Sequence, residues 1–422
     1  MKSPPETTLT WEDVLASDWF LSSAGSFLSF ADLHYLSSTS KQCRNKVHAW
    51  IITWPKCAKD LFCACCQLQP PSSLLVFGLH NCSKAFPLGY VEQLRPNPSP
   101  ILQFSFASMT FDVSKAAILG AWSLLSIANE APDNLGRTAP NVCAVDDEGS
   151  KIFYCGGNQF AAKNEGQWLT VSEMNGNCSS STAIFDVKTS SWKSLAPMPV
   201  GVCNAGICRL GSLVYIIGGE TGSYGNNREV LCFDLETEAW VPAGIPSFPG
   251  RAYGGYATIA SSNHTILVAG GGMVTDWNHM IGPCREVFSL DVTSCIWTRV
   301  ADLPDSDYAA KKCTGFLRQS ANNDTSCVVV SGKQTVQLLS SGHWDVLPGF
   351  RNGPGCVASF GNTVVSSWLS LIELVLLEDG VHLSLPAQCN AFRPKAMEIV
   401  DAAGQTLLVC LSGIDRIVPV YR

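Results

Sequence analysis

Short apolar runs separated by polar turns dominate the centre of the chain. KIFYCGG, LVYIIGG and TILVAGG are β-type runs ending in glycine pairs, read as Gly156-Gly157, Gly218-Gly219 and Gly271-Gly272. Each pair is followed by a variable polar stretch and then a second β run that closes on an aspartate: AIFDVKTSSW, LCFDLETEAW and VFSLDVTSCIW. The Asp-to-Trp separation is six residues in all three, Asp186–Trp192, Asp234–Trp240 and Asp291–Trp297, and a proline-bearing turn comes next. A constant spacing inside a recurring block predicts a repeat architecture of short antiparallel strands.

Each recurring residue type has a task in such a unit. Glycines permit positive φ and close backbone approach where a strand ends. The aspartate starts a tight turn through hydrogen bonds to nearby amides, and the tryptophan offers a large area for packing between units. The blocks resemble kelch repeats, and the resemblance implies a β-propeller with four-stranded blades. The period persists after the clear copies. CVVVSGK and TVQLLSSGHWDVLPG keep Trp344, 47 residues after Trp297, and 346–422 reads as further divergent strands. The expected fold is therefore mainly β: a six-bladed kelch-type β-propeller over 101–422, with clear repeats at 141–345. Its last blade would take three strands from the C-terminal segment and a closing strand from about 105–125, around Asp112 and Trp122.

The first hundred residues follow a different pattern. After 1–14, expected to be flexible, apolar Leu15, Trp19, Phe20, Phe27, Leu28, Leu33 and Leu36 recur at helical spacing. Asp18 and Asp32 are candidate helix caps. A further helix is expected over SSTSKQCRNKVHAWIITW. So many apolar residues on so small a unit suggest a surface lent to a partner. The stretch 15–56 resembles an F-box, with Ser26-Phe27-Leu28-Ser29, Asp32-Leu33 and Ser40-Lys41-Gln42-Cys43-Arg44 in register. It departs from that pattern at Ala16, at Cys43 and by one inserted residue. The resemblance implies that the seven apolar residues named above dock a Skp-type adaptor and, through it, a cullin. Residues 57–100 are expected to form a linker.

Composition narrows the alternatives. The 46% hydrophobic and 15% charged residues exclude wholesale disorder. A net charge of −7 without a basic block argues against nucleic acid as a partner. The N-terminal sequence lacks a secretory pattern and no apolar run is long enough to span a bilayer, so no membrane partner and a cytoplasmic or nuclear location are expected. The 19 cysteines are expected to be reduced and mostly buried. Cys57, Cys63, Cys65, Cys66, His80 and Cys82 cluster without a C-x-x-C pair, which leaves zinc as a secondary reading beside a helical linker.

No catalytic constellation, metal set or cofactor motif emerges, so neither catalysis nor a cofactor is expected. The seven histidines assemble no convincing metal set for a propeller oxidase, a third reading. In an antiparallel four-stranded blade, the loop between strands two and three shares a rim with the connection between blades. Candidate protein-substrate contacts on that rim are Trp168, Tyr224, Arg228, Arg251, Trp277, His279 and Arg285, residue types favoured at interface hot spots. The opposing reading is that each arginine pairs with a neighbour such as Glu229 or Glu286 and only stiffens a loop. The whole pattern resembles the substrate receptors of SCF-type ubiquitin ligases. A kelch interaction scaffold with no ligase role is the alternative.

Overall fold

The computed structural model describes Lys41, Asn45 and Ala49 of a helix, strand Ser73–Phe77, and the chain from Leu102 to Val420 with gaps, the longest at 158–177. The expected N-terminal module lies outside the described residues except for those three positions. They are helical and exposed, and their i, i+4, i+8 spacing places them along one helix face.

Five four-stranded sheets are antiparallel meanders, with strands adjacent in chain order. The first contains Asn141–Ala144, Lys151–Cys155, Thr182–Asp186 and Ser191–Ser194. The second contains Gly206–Leu210, Leu213–Ile217, Val230–Asp234 and Ala239–Val241. The third contains Ala257–Ser262, Thr265–Ala269, Val287–Asp291 and Ile296–Val300. Cys313–Gln319, Thr325–Ser331, Gln334–Leu338 and Trp344–Leu347 make the fourth. The fifth has Cys356–Phe360, Thr363–Trp368, Leu371–Leu376 and His382–Pro386.

Burial explains why the second strand of each early sheet is a continuous apolar run rather than an alternating one. Successive side chains point to opposite faces, and both faces are covered by neighbouring sheets. Ile152 and Tyr154 pack toward Leu125 and Ile127, whereas Phe153 and Cys155 pack with Val214 and Ile216 of the second sheet. Tyr215 and Ile217 then meet Ile266 and Val268 of the third. Leu267 and Ala269 in turn meet Cys327 and Val329 of the fourth. One run of five residues thus feeds two interfaces. The outermost strands lose part of this cover, and their residues are mostly half-buried or exposed.

The turns repeat as closely as the core. Asp186 Oδ1 accepts the amides of Lys188 and Thr189, and Asp291 Oδ1 those of Thr293 and Ser294. Asp234 accepts the Glu236 amide and the Thr237 hydroxyl. Four residues after each aspartate, Ser190, Glu238 and Cys295 adopt φ of 52°, 53° and 57°. The six-residue spacing is therefore the length of this left-handed turn plus one strand residue. The tryptophan after it fastens the blade to its predecessor. Trp240 Nε1 donates to the Ala196 carbonyl (2.8 Å), Trp297 to Pro246 (2.9 Å) and Trp344 to Ala301 (2.8 Å). Trp192, in the first sheet, is the exception: its buried Nε1 has no such acceptor, and its backbone instead pairs with the Asn129 side chain.

Two details differ from the sequence expectation. The positive-φ pair in the third sheet is Gly270-Gly271, at 73° and 95°, and Gly272 already begins the next strand. Pairing decides which two of the three successive glycines bend, because the Gly270 amide must reach the Glu286 carbonyl. The expected closing strand also divides differently. Asp112 ends a strand of a two-stranded hairpin with Ala117–Leu119, whereas Trp122 opens a strand paired with Leu102–Ser105. That strand belongs to a six-stranded sheet ordered Thr406–Cys410, Ala396–Val400, Trp122–Leu124, Leu102–Ser105, Ser73–Phe77 and Arg416–Val420.

Only one C-terminal strand, Arg416–Val420, therefore takes the inner place, and Ser73–Phe77, expected within a linker, pairs beside it. The inner strand contacts both Cys356–Phe360 and Asn141–Ala144, the inner strands of the fifth and first sheets. Cys356–Phe360 contacts the inner strand of the fourth sheet, and the earlier inner strands touch in succession.

The turn geometry predicts a signed stability change. Asparagine tolerates left-handed φ, whereas a β-branched residue does not. Cys295→Asn should raise stability by up to about 1 kcal/mol and Cys295→Val should lower it by about 1–2 kcal/mol. Denaturant unfolding checks this, and the reverse order would contradict the turn assignment.

Candidate functional site

The glycine pair that ends each second strand sits beside the segment leading into the next sheet. Gly157 donates to the Val202 carbonyl (3.0 Å), Glu220 and Cys203 exchange backbone bonds of 2.8 and 2.9 Å, and Gly272 donates to Gly254 (3.0 Å). A Cβ at Gly219 would lie 2.8 Å from the Cys203 carbonyl, so the approach admits only glycine there. Loops after second strands and connections between sheets thus emerge together on one rim. Asn141, fully buried on the innermost strand of the first sheet, spans the same junction. Its Nδ2 donates to the Val202 carbonyl (3.1 Å) and its Oδ1 accepts the Ala205 amide (2.8 Å).

The three rim arginines are exposed but already engaged. Arg228 donates from Nε to Phe248 O (3.0 Å) and from Nη2 to Pro249 O (2.9 Å) and Gly250 O (3.3 Å). Phe248 returns its amide to the Arg228 carbonyl, which locks the connection between the second and third sheets. Arg285 repeats the arrangement one sheet later, with Nε on the Leu303 carbonyl and Nη1 on Asp305. Arg251 donates its Nε and its amide to the two oxygens of Glu286, both at 2.9 Å. Glu286 is buried, so this pair satisfies a carboxylate that water does not reach freely. Among the three, Arg228 is held by neutral carbonyls and keeps its positive charge available to the rim.

Comparison with known proteins places this geometry. A kelch motif matches residues 201–246, from the lead-in of the second sheet through its outer strand to the next connection. The central repeats are kelch repeats. Kelch-like protein 35 of Mus musculus is 28% identical over 120 residues, 28% of this chain and 18% of that protein. An F-box/kelch-repeat protein of Arabidopsis thaliana is 26% identical over 129 residues, 29% of this chain and 22% of its own. Kelch-like protein terF of Aspergillus terreus is 29% identical over 135 residues, 30% of this chain and 28% of its own. The matches therefore span between about a fifth and just over a quarter of these relatives. The fold is a mainly β, kelch-type propeller.

Of the rim residues expected from the sequence, Arg251 lies on the connection between the second and third sheets, and Arg228 and Arg285 lie just before third strands and reach across to the connections. His279 begins a strand, His279–Pro283, that pairs with Gly272–Asp276. Trp168, Tyr224 and Trp277 lie outside the described residues, as do Leu15, Trp19, Phe20, Phe27, Leu28, Leu33, Leu36 and the Cys57–Cys82 cluster. Pairing with an acidic residue, weighed from the sequence, is found for Arg251 with Glu286 and for Arg285 with Asp305. Arg228 instead grips the connection through the Phe248, Pro249 and Gly250 carbonyls.

Away from the rim, a cleft of ≈530 Å³ opens between the third and fourth sheets at the hairpin ends of the strands. It is lined by Leu267, Leu317, Ser326, Cys327, Gln337 and Leu338 among others, and no carboxylate or imidazole lines it. Burial pushes the Cys327 thiol up to about 11, which suits packing rather than nucleophilic chemistry. The ten cysteines between Cys143 and Cys327 whose side chains are described form no disulfide, and the described residues contain no cluster of three or more metal-type side chains.

Because the arginines hold connections in place, their removal should be felt by the fold. Arg228→Ala and Arg251→Ala should each lower stability by about 1–2 kcal/mol, after allowance for solvent exposure. Arg228→Lys should rescue little, since a single ammonium cannot replace a planar fork on three carbonyls. Thermal unfolding of the full chain tests this, and unchanged melting for both alanine variants would show that the bonds are idle.

Proposed function

We propose that the chain is a non-catalytic substrate receptor of a cullin-based SCF ubiquitin ligase, with a kelch propeller that holds a protein target. The observation that carries the reading is the joint one: kelch blades with a rigid loop-bearing rim, preceded by Ser26–Ser29, Asp32-Leu33 and Ser40–Arg44 in F-box register. The name of the Arabidopsis relatives, F-box/kelch-repeat protein, is consistent with that pairing. In this reading residues 15–56 dock a Skp-type adaptor and the adaptor brings a cullin. The propeller has six blades, the sixth built from Arg416–Val420 with Ser73–Phe77, Leu102–Ser105 and Trp122–Leu124. The protein works in the cytoplasm or nucleus and raises the local concentration of its target at the ubiquitin-conjugating enzyme. Trp168, Tyr224 and Trp277 are the residues proposed to meet a target, together with the Arg228 guanidinium.

A kelch scaffold without a ligase role is the second reading, favoured by the Kelch-like relatives, whose names carry no F-box. The two part at the N-terminal module. Leu28→Asp combined with Leu33→Asp should abolish co-purification of the Skp-type adaptor and leave propeller melting unchanged. If the unaltered chain captures no adaptor, or the double variant captures it equally, the ligase reading fails and the scaffold reading stands.

A further inference from the structure

Two cysteines meet at the rim between the first and second blades, where the Cys178 thiol also donates to the Glu220 carbonyl (3.3 Å), and the proposed function does not use them. Cys178 lies where the chain re-enters the first sheet after 158–177, and Cys203 lies in the lead-in to the second sheet. Their sulfurs are 3.5 Å apart although the residues are 25 apart in sequence. Backbone bonds hold both sides: Ser179 donates to Gly157, and Cys203 and Glu220 exchange two bonds. Gly201 is packed so closely on the Cys178–Ser179 backbone that a Cβ there would collide with it. The neighbouring backbone is therefore fixed around the pair, and the sulfurs must close by about 1.5 Å to reach the length of a disulfide bond.

We propose that Cys178 and Cys203 are a redox-active pair that closes to a disulfide on oxidation and clasps the first two blades together at the rim. Their surroundings give the two sulfurs different parts. Cys178 is half-buried and reachable, whereas Cys203 is 1% exposed. Hydrogen bonding with Cys203 holds the Cys178 thiol below the usual thiol range, against the opposing effects of partial burial and of the Glu220 carboxylate. Burial instead drives the thiols of Cys155, Cys208, Cys232, Cys284, Cys313 and Cys327 upward. Thiolate character and access together select the reacting cysteine.

With hydrogen peroxide as the oxidant, the Cys178 thiolate attacks one peroxide oxygen. The O–O bond breaks, hydroxide leaves, and Cys178 becomes a sulfenic acid. Cys203 sulfur then attacks the Cys178 sulfur, the S–O bond breaks, and the oxygen departs as water with the Cys203 proton. Two thiols and one peroxide give one disulfide and two waters. A dithiol reductant reverses the bond by exchange through a mixed disulfide. The inference does not depend on what the propeller binds.

The test uses the full chain treated with a modest excess of hydrogen peroxide at neutral pH, then blocked with a thiol reagent and digested without reduction. The expected product is a linked peptide pair containing Cys178 and Cys203, lost after treatment with dithiothreitol. Melting should rise by several degrees in the oxidised protein and return on reduction. Cys178→Ser should show no Cys203-containing linkage, and Cys203→Ala should trap Cys178 as a sulfenic acid reactive toward dimedone. Should Cys203→Ala fold poorly, dimedone competition on the unaltered chain reads the same intermediate. Linkage of Cys178 to another cysteine, or recovery of both thiols unmodified under conditions that oxidise other cysteines, would overturn the proposal.

Discussion

The second strand of each kelch blade is buried on both faces at once, and the rest of the structure depends on this double burial. A strand such as Leu213–Ile217 sends Val214 and Ile216 into one interface and Tyr215 and Ile217 into the next, so no blade has a complete core of its own. Truncating one such residue to alanine would cost about 2–5 kcal/mol, and the loss would fall on two blades. Tryptophans at the outer strands add a polar fastening to the same contacts, because their Nε1–H groups donate to the connection left by the preceding blade. The rim is stiff as a consequence: Arg228 and Arg285 draw the connections inward, and Asn141 stitches the first blade to the second. Large variable loops can be carried on such a frame without disturbing it, and this is the physical basis for reading the propeller as a recognition platform.

What the sequence made legible was whatever local chemistry must repeat in order to make the same turn. The Asp-to-Trp spacing was visible because one carboxylate, one left-handed residue and one wedge recur at fixed positions, as at Asp234, Glu238 and Trp240. In the fourth blade the aspartate is lost and Gly342, at φ 81°, makes the turn instead, yet Trp344 keeps its bond to the previous connection. The glycine pair was misplaced by one residue in the third blade because three glycines occur in a row, and only the ladder with Val287–Asp291 sets which two must bend.

Long-range facts were not legible. The pairing of Ser73–Phe77 with Arg416–Val420 joins chain segments more than three hundred residues apart, and neither strand carries a repeat signature. The sequence offered the arginines as rim candidates but could not show that their donors go to backbone carbonyls and to buried Glu286. It also gave no sign of the Cys178–Cys203 encounter, since the two lie in different blades and follow no recognisable spacing.

The central claim is that the blades form one ring, held shut where the C-terminal strand meets an N-terminal one, so that the rim acts as a single platform. Hydrogen exchange on the intact chain tests this most directly. The amides of Leu74–Val76 and Ile417–Val418 should be protected as strongly as those of Val214–Ile217, because closure makes opening at the seam as costly as opening between kelch blades. Rapid exchange across both seam strands, with slow exchange retained in Val214–Ile217, would show an open arc and would contradict the account.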